Sequence, residues 1–244
     1  MKQDGLLIGI HPIREALEAG KEFQKILLQQ GMHSDRIHEI LKELRALDVP
    51  IQRVPKEKMN RITRKNHQGI LAFISPVSFH PLEEHVMGLF ESGVSPLYLA
   101  MEGVTDIRNF GAIVRTVEGM GFHGVLIPSM GMAPINAEAI KSSSGALLRV
   151  PLIRMKNTHR AYKHLKKSGL QVIGLSEKGT DNISQAKLKG PLCLVMGNEF
   201  SGLQEKTLQI ADQLLSIPMY GSLESFNVGV SAAIAMYEVQ RQRF

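Results

Sequence analysis

The sequence predicts an α/β protein of two segments, the second of them a parallel sheet covered by helices on both faces. Three observations predict it. Short apolar runs of strand length alternate with stretches whose apolar residues recur at helical spacing. The strand–helix alternation continues through most of the 244 residues, and parallel strands joined by helical crossovers are the arrangement that satisfies it. A stretch holding prolines and glycines, 75–96, interrupts the pattern and divides the chain.

In the first segment, 6–10 reads as an opening strand. A helix follows over 12–19, with Pro12 near its start and Gly20 past its end. Residues 23–29 read as a strand. Over 35–47, Ile37, Ile40, Leu41, Leu44 and Leu47 fall on one helical face. Residues 49–54 and 70–74 complete the segment as strands. In the second segment the strands are 97–101, 124–127, 171–175, 192–196 and 213–217. The helices are 110–120, 158–167, 203–210 and 228–242. The expected limits are a first domain at 1–76, a linker at 77–94 and a second domain at 95–244.

Composition narrows the function classes. Hydrophobic residues are 43% and charged residues 21%, ordinary for a soluble protein with a sizeable core. The formal net charge of +6 fits an anionic partner such as nucleic acid, and equally a mildly basic enzyme. One cysteine, Cys193, excludes an intrachain disulfide and fits a reducing compartment. Its apolar run, 191–196, marks it as a core residue. The nine histidines form no Cys/His or His-Glu-x-x-His pattern, so no metal site is expected; His33 and His38 read as surface residues. The apolar stretch 5–10 is broken by His11 and Pro12, unlike a signal peptide. The uncharged stretch 119–137 is broken by glycines, prolines and His123, unlike a membrane span. A cytoplasmic protein with no membrane association is expected.

Two regions carry chemistry. In the first segment, Arg53, Lys56, Lys58, Arg61, Arg64 and Lys65 stand together with one acid, Glu57. Such a cluster tracks a phosphate backbone, or it is a solvated helix face. In the second segment, three polar, glycine-containing stretches follow strands, where open α/β sheets bind ligands. The first is Asp106-Ile107-Arg108-Asn109-Phe110-Gly111 with Arg115 beyond it; Asn109 is placed to cap a helix, and Gly111 permits close backbone approach. The second is Gly197-Asn198-Glu199-Phe200-Ser201-Gly202-Leu203. The third runs Ile217-Pro218-Met219 and then Ser225-Phe226-Asn227-Val228 into a helix of small residues. Each alone also reads as an ordinary capped turn. None is a phosphate-binding glycine fingerprint.

Together the three stretches resemble the motifs of the SpoU/TrmH family in the SPOUT superfamily. Asp106, Asn109, Gly111 and Arg115 match the first motif. Gly197, Glu199, Gly202 and Leu203 match the second. Ile217-Pro218-Met219 and Ser225-Phe226-Asn227-Val228 match the third. The stretches 9–17 and 67–70 resemble the family's N-terminal substrate-binding domain, so the likeness spans nearly the whole chain. Ile107, Phe226 and Gly229 depart from the family's usual Pro, Leu and Ser.

The resemblance implies an L30e-like RNA-binding domain followed by an α/β-knot domain with a deep trefoil knot. It implies S-adenosylmethionine as cofactor, RNA as substrate, and a homodimer formed by the C-terminal domain whose active site draws on both chains. The implied reaction is 2′-O-methylation of a ribose, of a guanosine in 23S ribosomal RNA; a transfer RNA ribose, or RNA binding without catalysis, is the alternative. The implied catalytic residues are Asn109, Arg115, Glu199, Ser225 and Asn227. Leu175, Gly197, Ile217 and Phe226 would hold the cofactor; for the RNA, the basic cluster read above offers Arg53, Lys58, Arg61, Arg64 and Lys65. The family role of base falls on Arg115, but a guanidinium holds its proton tightly near neutrality, so a clamp on a phosphate beside the target ribose is the better physical reading.

Overall fold

The computed structural model describes residues 5–32, 34–177, 179, 181–198, 200–223 and 225–244. Met1–Ser78 and Phe79–Phe244 form two compact units.

The first unit runs β1 (Leu6–Ile8), α1 (Ile10–Glu18), β2 (Phe23–Gln29), α2 (Asp35–Ala46), β3 (Ile51–Val54), α3 (Lys56–Ile62) and β4 (Ile70–Ile74). The sheet order is β1-β4-β2-β3. Strand β4 is antiparallel to β1 and β2, while β2 and β3 are parallel. Neighbouring positions of β2 feed opposite faces, as strand pleating requires. Ile26 and Leu28 pack with Ile13 of α1 and Ile37, Ile40 and Leu44 of α2. Leu27 packs with Met59 of α3 on the other side.

Two sequence expectations shift here. The opening strand stops at Ile8, because Gly9 adopts φ 86° and turns the chain into α1. That helix begins at Ile10, whose N–H donates to Gln68 Oε1 at 3.0 Å. Pro12 therefore sits in the first turn, where its missing N–H costs nothing. Helix α3 has one buried residue, Met59, too few apolar positions to reveal a period.

The second unit runs α4 (Leu82–Glu91), β5 (Leu97–Met101), α5 (Ile107–Gly119), β6 (Gly124–Pro128), α6 (Ala137–Ser142), β7 (Leu152–Met155), α7 (Thr158–Lys167), β8 (Gln171–Leu175), β9 (Asp181–Asn182), β10 (Leu192–Met196), α8 (Glu205–Ile210), β11 (Gln213–Ser216) and α9 (Val228–Arg241). The strands form one parallel sheet in the order β7-β6-β5-β10-β8-β11-β9. Side chains of α4, α7 and α8 share one core with β5, β8 and β10; helix α5 packs against α6 and α9. The expected linker at 77–94 is corrected. It contains α4, whose Leu82 and Val86 are buried in the second unit's core. Strand β7 carries Arg154 and β9 has two residues, so neither shows a strand signature in the sequence.

Cys193 is fully buried in that core, and burial pushes its thiol above the ordinary range. It is a packing residue. No helix among the described residues is long and apolar enough to cross a membrane, and no described group of three or more His, Cys, Asp or Glu is placed to hold a metal ion.

Among the described residues, three histidines are held below their ordinary pKa, each chiefly by burial: His67, His85 and His123. His67 Nδ1 accepts from the Gly69 N–H at 3.0 Å, and its Nε2 lies 3.1 Å from Asn60 Oδ1. His123 Nδ1 accepts from the Leu97 N–H at 3.0 Å. An imidazolium would lose either acceptor. The unfolded chain therefore binds protons more readily than the folded one. Stability is full above the unfolded value of about 6.5 and is lost as pH falls below it toward the depressed folded values. Melting temperature is expected to fall between about pH 7.5 and pH 5; scanning calorimetry showing a flat profile there would contradict this.

Candidate active site

Strands β10, β8 and β11 lie side by side, and the segments leaving their carboxyl ends line a cavity of about 530 Å³. This is where ligands bind in open α/β sheets, and the volume is within the roughly 300–1,000 Å³ usual for small-molecule sites. Its floor is apolar: Leu175 ends β8, Met196 ends β10, and Leu203, Leu215 and Ile217 complete it.

One polar edge comes from two helix starts. Asp106 is the cap of α5, its Oδ1 accepting from the N–H groups of Arg108 and Asn109 at 2.8 and 2.9 Å. The expectation that Asn109 caps this helix is thus corrected. Asn109 lies in the first turn, and its Oδ1 accepts from Asn227 Nδ2 at 3.1 Å. Asn227 does cap α9, its Oδ1 accepting from the Gly229 N–H at 2.9 Å. One amide therefore both caps a helix and ties the first stretch to the third. Ser225 and Phe226 are exposed and line the cavity beside it. Gly111 does permit close approach, though to α6 and not to a ligand: a Cβ there would lie 2.5 Å from Ser142 Cβ.

The remaining wall is the loop after β10. Asn198 organises it. Its Nδ2 donates to the Gly103 carbonyl at 2.7 Å, and its Oδ1 accepts from the N–H groups of Phe200 and Ser201 at 2.9 and 3.2 Å. The backbones of Asn198 and Gly202 exchange two hydrogen bonds, both 2.9 Å. Sequence reasoning missed Asn198. The available signal was an Asn directly after a strand-ending glycine, a residue that readily bonds the backbone two positions on.

Of the expected cofactor residues, Leu175, Gly197, Ile217 and Phe226 all line the cavity, as do Asn109, Ser225 and Asn227 of the expected catalytic set. Glu199 lies outside the described residues, as does His33. Arg115 is not brought to this cavity. It is exposed on α5, six positions from Asn109, which places it about 9 Å along the axis and on a different face. It makes no ion pair among the described residues. Arg53, Lys58, Arg61, Arg64 and Lys65 are all exposed on the first unit, on β3, on α3 and in the segment entering β4. Lys25 lies near Lys58, whose charge joins burial in lowering its pKa.

The only ionisable side chain among the described cavity-lining residues is Glu177. That carboxyl side chain among the described lining residues suits a ligand carrying positive charge. S-adenosylmethionine has that chemistry: a flat base for the apolar floor and a sulfonium.

Residues 96–237 match the model of the SpoU rRNA methylase family. Residues 6–80 match the model described as RNA 2′-O ribose methyltransferase substrate binding. The chain belongs to the SpoU rRNA methylase family. It is 35% identical to the 23S rRNA (guanosine-2′-O-)-methyltransferase RlmB of Vibrio vulnificus, over 97% of this chain and 96% of that one. It is 32% identical to a Staphylococcus aureus protein assigned to the TrmH family of tRNA/rRNA methyltransferases, covering 99% and 97%. Its fold matches the SpoU methyltransferase AviRb of Streptomyces viridochromogenes, solved in complex with the cofactor AdoMet, with TM-score 0.60 and 23% identity over 98% and 90% of the chains. The three stretches, far apart in sequence, follow β5, β10 and β11, and each contributes residues to the same cavity.

Proposed function

We propose that this protein transfers the methyl group of S-adenosylmethionine to the 2′-hydroxyl of a ribose in RNA, a guanosine of 23S ribosomal RNA. The observation that carries this reading is the single cavity formed by all three stretches, apolar in its floor, anionic at Glu177 and edged by Asn109, Ser225 and Asn227. Bound there, the cofactor supplies an already activated methyl group on a positively charged sulfur. Leu175, Ile217 and Phe226 would enclose its base, and the backbone around Gly197 would approach it closely.

The protein's remaining task is alignment and loss of a proton from a weakly acidic hydroxyl. Asn109 and Asn227 offer amide groups for holding the 2′-oxygen. Both stand at helix starts, whose partial positive charge favours an oxygen gaining negative charge. We assign Arg115 to a phosphate next to the target ribose, and Glu199 to holding an arginine or the ribose. Because Arg115 lies off its own cavity, we further propose that a homodimer delivers it to the partner's cavity. The exposed stripe Arg108, Ala112, Arg115 and Gly119 on α5, with exposed Val230 and Tyr237 on α9, gives a surface for that association.

The first unit would bind the RNA. Replacing Arg61, Arg64 and Lys65 together by alanine is expected to weaken RNA binding and to flatten the plot of log affinity against log salt by roughly two to three units. Affinity for S-adenosylmethionine should stay as in wild type. An unchanged salt slope would reduce the cluster to a solvated surface.

The reading as a whole is tested by mass-spectrometric mapping of ribose methylation in RNA from cells with and without the protein. Loss of one 2′-O-methylguanosine in 23S ribosomal RNA is the expected result. Loss of a transfer RNA mark would move the substrate, and no loss at all would leave an RNA-binding module without catalysis.

A further inference from the structure

We infer that Glu102 and Gly103 form a clamp that sets the shape of the cofactor loop after β10, with Glu102 as its positioning residue. The inference rests on reading the cavity as the S-adenosylmethionine site. Glu102 directly follows β5 and is 2% exposed. No cation pairs with it among the described residues. Its carboxyl group instead accepts three hydrogen bonds from two helices and a loop end. Tyr162 Oη of α7 donates to Oε1 at 2.9 Å, and Thr207 Oγ1 of α8 donates to the same oxygen at 2.7 Å. The Gln204 N–H donates to Oε2 at 3.2 Å.

The backbone of the same two residues grips the loop's other end. The Glu102 N–H donates to the Met196 carbonyl at 2.8 Å. The Gly103 carbonyl accepts from Asn198 Nδ2 at 2.7 Å. Gly103 has φ +83°, and a Cβ there would lie 3.2 Å from that Nδ2, so glycine suits both the turn and the contact. The loop is thus held at Met196, at Asn198 and at Gln204. The described residues between those anchors, Gly197 through Leu203, line the cavity.

Stability alone does not explain this arrangement. A buried carboxyl group is costly, and a well-packed apolar network of the same shape commonly gives a core equal or greater stability. What an apolar residue at 102 cannot do is accept the Gln204 N–H. Glu102 and Gly103 also lead, through Val104, to Asp106 and the start of α5. The clamp therefore fixes the cofactor loop relative to the segment that carries Asn109.

The test replaces the network by apolar residues of similar shape. Glu102→Leu alone strands the hydroxyls of Tyr162 and Thr207, and it risks failing to fold. The triple variant Glu102→Leu/Tyr162→Phe/Thr207→Val removes those hydroxyls as well and keeps a filled core. In the triple variant, cooperative unfolding is expected to persist. Without ligand, exchange of the Gln204, Phe200 and Ser201 amides should accelerate about tenfold relative to amides of β10, the factor for losing one buried hydrogen bond. Affinity for S-adenosylmethionine, measured by calorimetry, should fall by about the same factor. A folded triple variant with wild-type amide exchange overturns the clamp, whatever its affinity. So does faster exchange with wild-type affinity, since the loop's shape would then not matter to the cofactor. If the wild-type protein itself binds no S-adenosylmethionine, the reading of the cavity fails, and amide exchange still decides whether Glu102 holds the loop.

Discussion

Gly197→Ala is expected to reduce cofactor affinity by at least about a hundredfold, roughly 3 kcal/mol, while leaving the chain folded. The reason is backbone geometry. A Cβ at position 197 would lie 2.2 Å from Gly202 C and 2.5 Å from both Gly202 O and Leu203 N. These are main-chain atoms, so no side-chain rotation relieves the overlap. Space can be made only by opening the paired backbone of Asn198 and Gly202. That opening displaces the wall facing the apolar floor and releases Asn198 from the Gly103 carbonyl. Strand β10 ends at Met196, so its pairing with β5 and β8 survives and the fold with it. Gly221→Ala is the matching control: it lies in the segment between Met219 and Ser225, and a Cβ there meets nothing within 4 Å. Calorimetric titration with S-adenosylmethionine should show near wild-type binding for Gly221→Ala and almost none for Gly197→Ala. Equal affinity in both variants would mean that the loop after β10 does not shape the site.

The central strands β5 and β10 were legible because each is an uninterrupted apolar run. Strands β5, β8 and β10 have the limits expected from sequence; in β5 and β10 every position is buried, so no polar position blurs them. Helix α4 was not legible. Its short amphipathic run follows Pro81 in a stretch whose glycines and prolines look like a linker, and only packing under β5 shows why Leu82 and Val86 are apolar. Caps were half legible. Asp106 and Asn109 are both good cap residues, and a shift of three positions changes which one caps α5 and which one meets Asn227. The contact between Asn109 and Asn227 spans 118 positions, so no local pattern encodes it. The family likeness brought both residues to attention, yet the pairing itself is tertiary. Glu102 shows the same limit from the other side. A lone acid after an apolar strand reads as the start of a surface turn, and only the folded chain brings Tyr162, Gln204 and Thr207 to it.

Arg115→Ala is expected to abolish methyl transfer, with cofactor affinity close to wild type because Arg115 does not line the cavity. Arg115→Lys separates two roles. A lysine keeps the charge and loses the planar fork, so a phosphate clamp retains partial activity, whereas a base that depends on guanidinium geometry retains almost none. Position gives a second test. Asn227 lines its own chain's cavity, while Arg115 is exposed on another face of α5. If a twofold dimer delivers Arg115 to the partner's cavity, a heterodimer of Arg115→Ala and Asn227→Ala chains holds one intact site, built from the cavity of the first and the arginine of the second. Its other site lacks both residues. Random mixing makes about half the dimers mixed, so roughly a quarter of wild-type sites should return from two inactive proteins. Single-turnover methylation of RNA before and after mixing measures this directly. If mixing restores nothing while each variant remains dimeric by light scattering, Arg115 acts within its own chain, and α5 must move to bring it there.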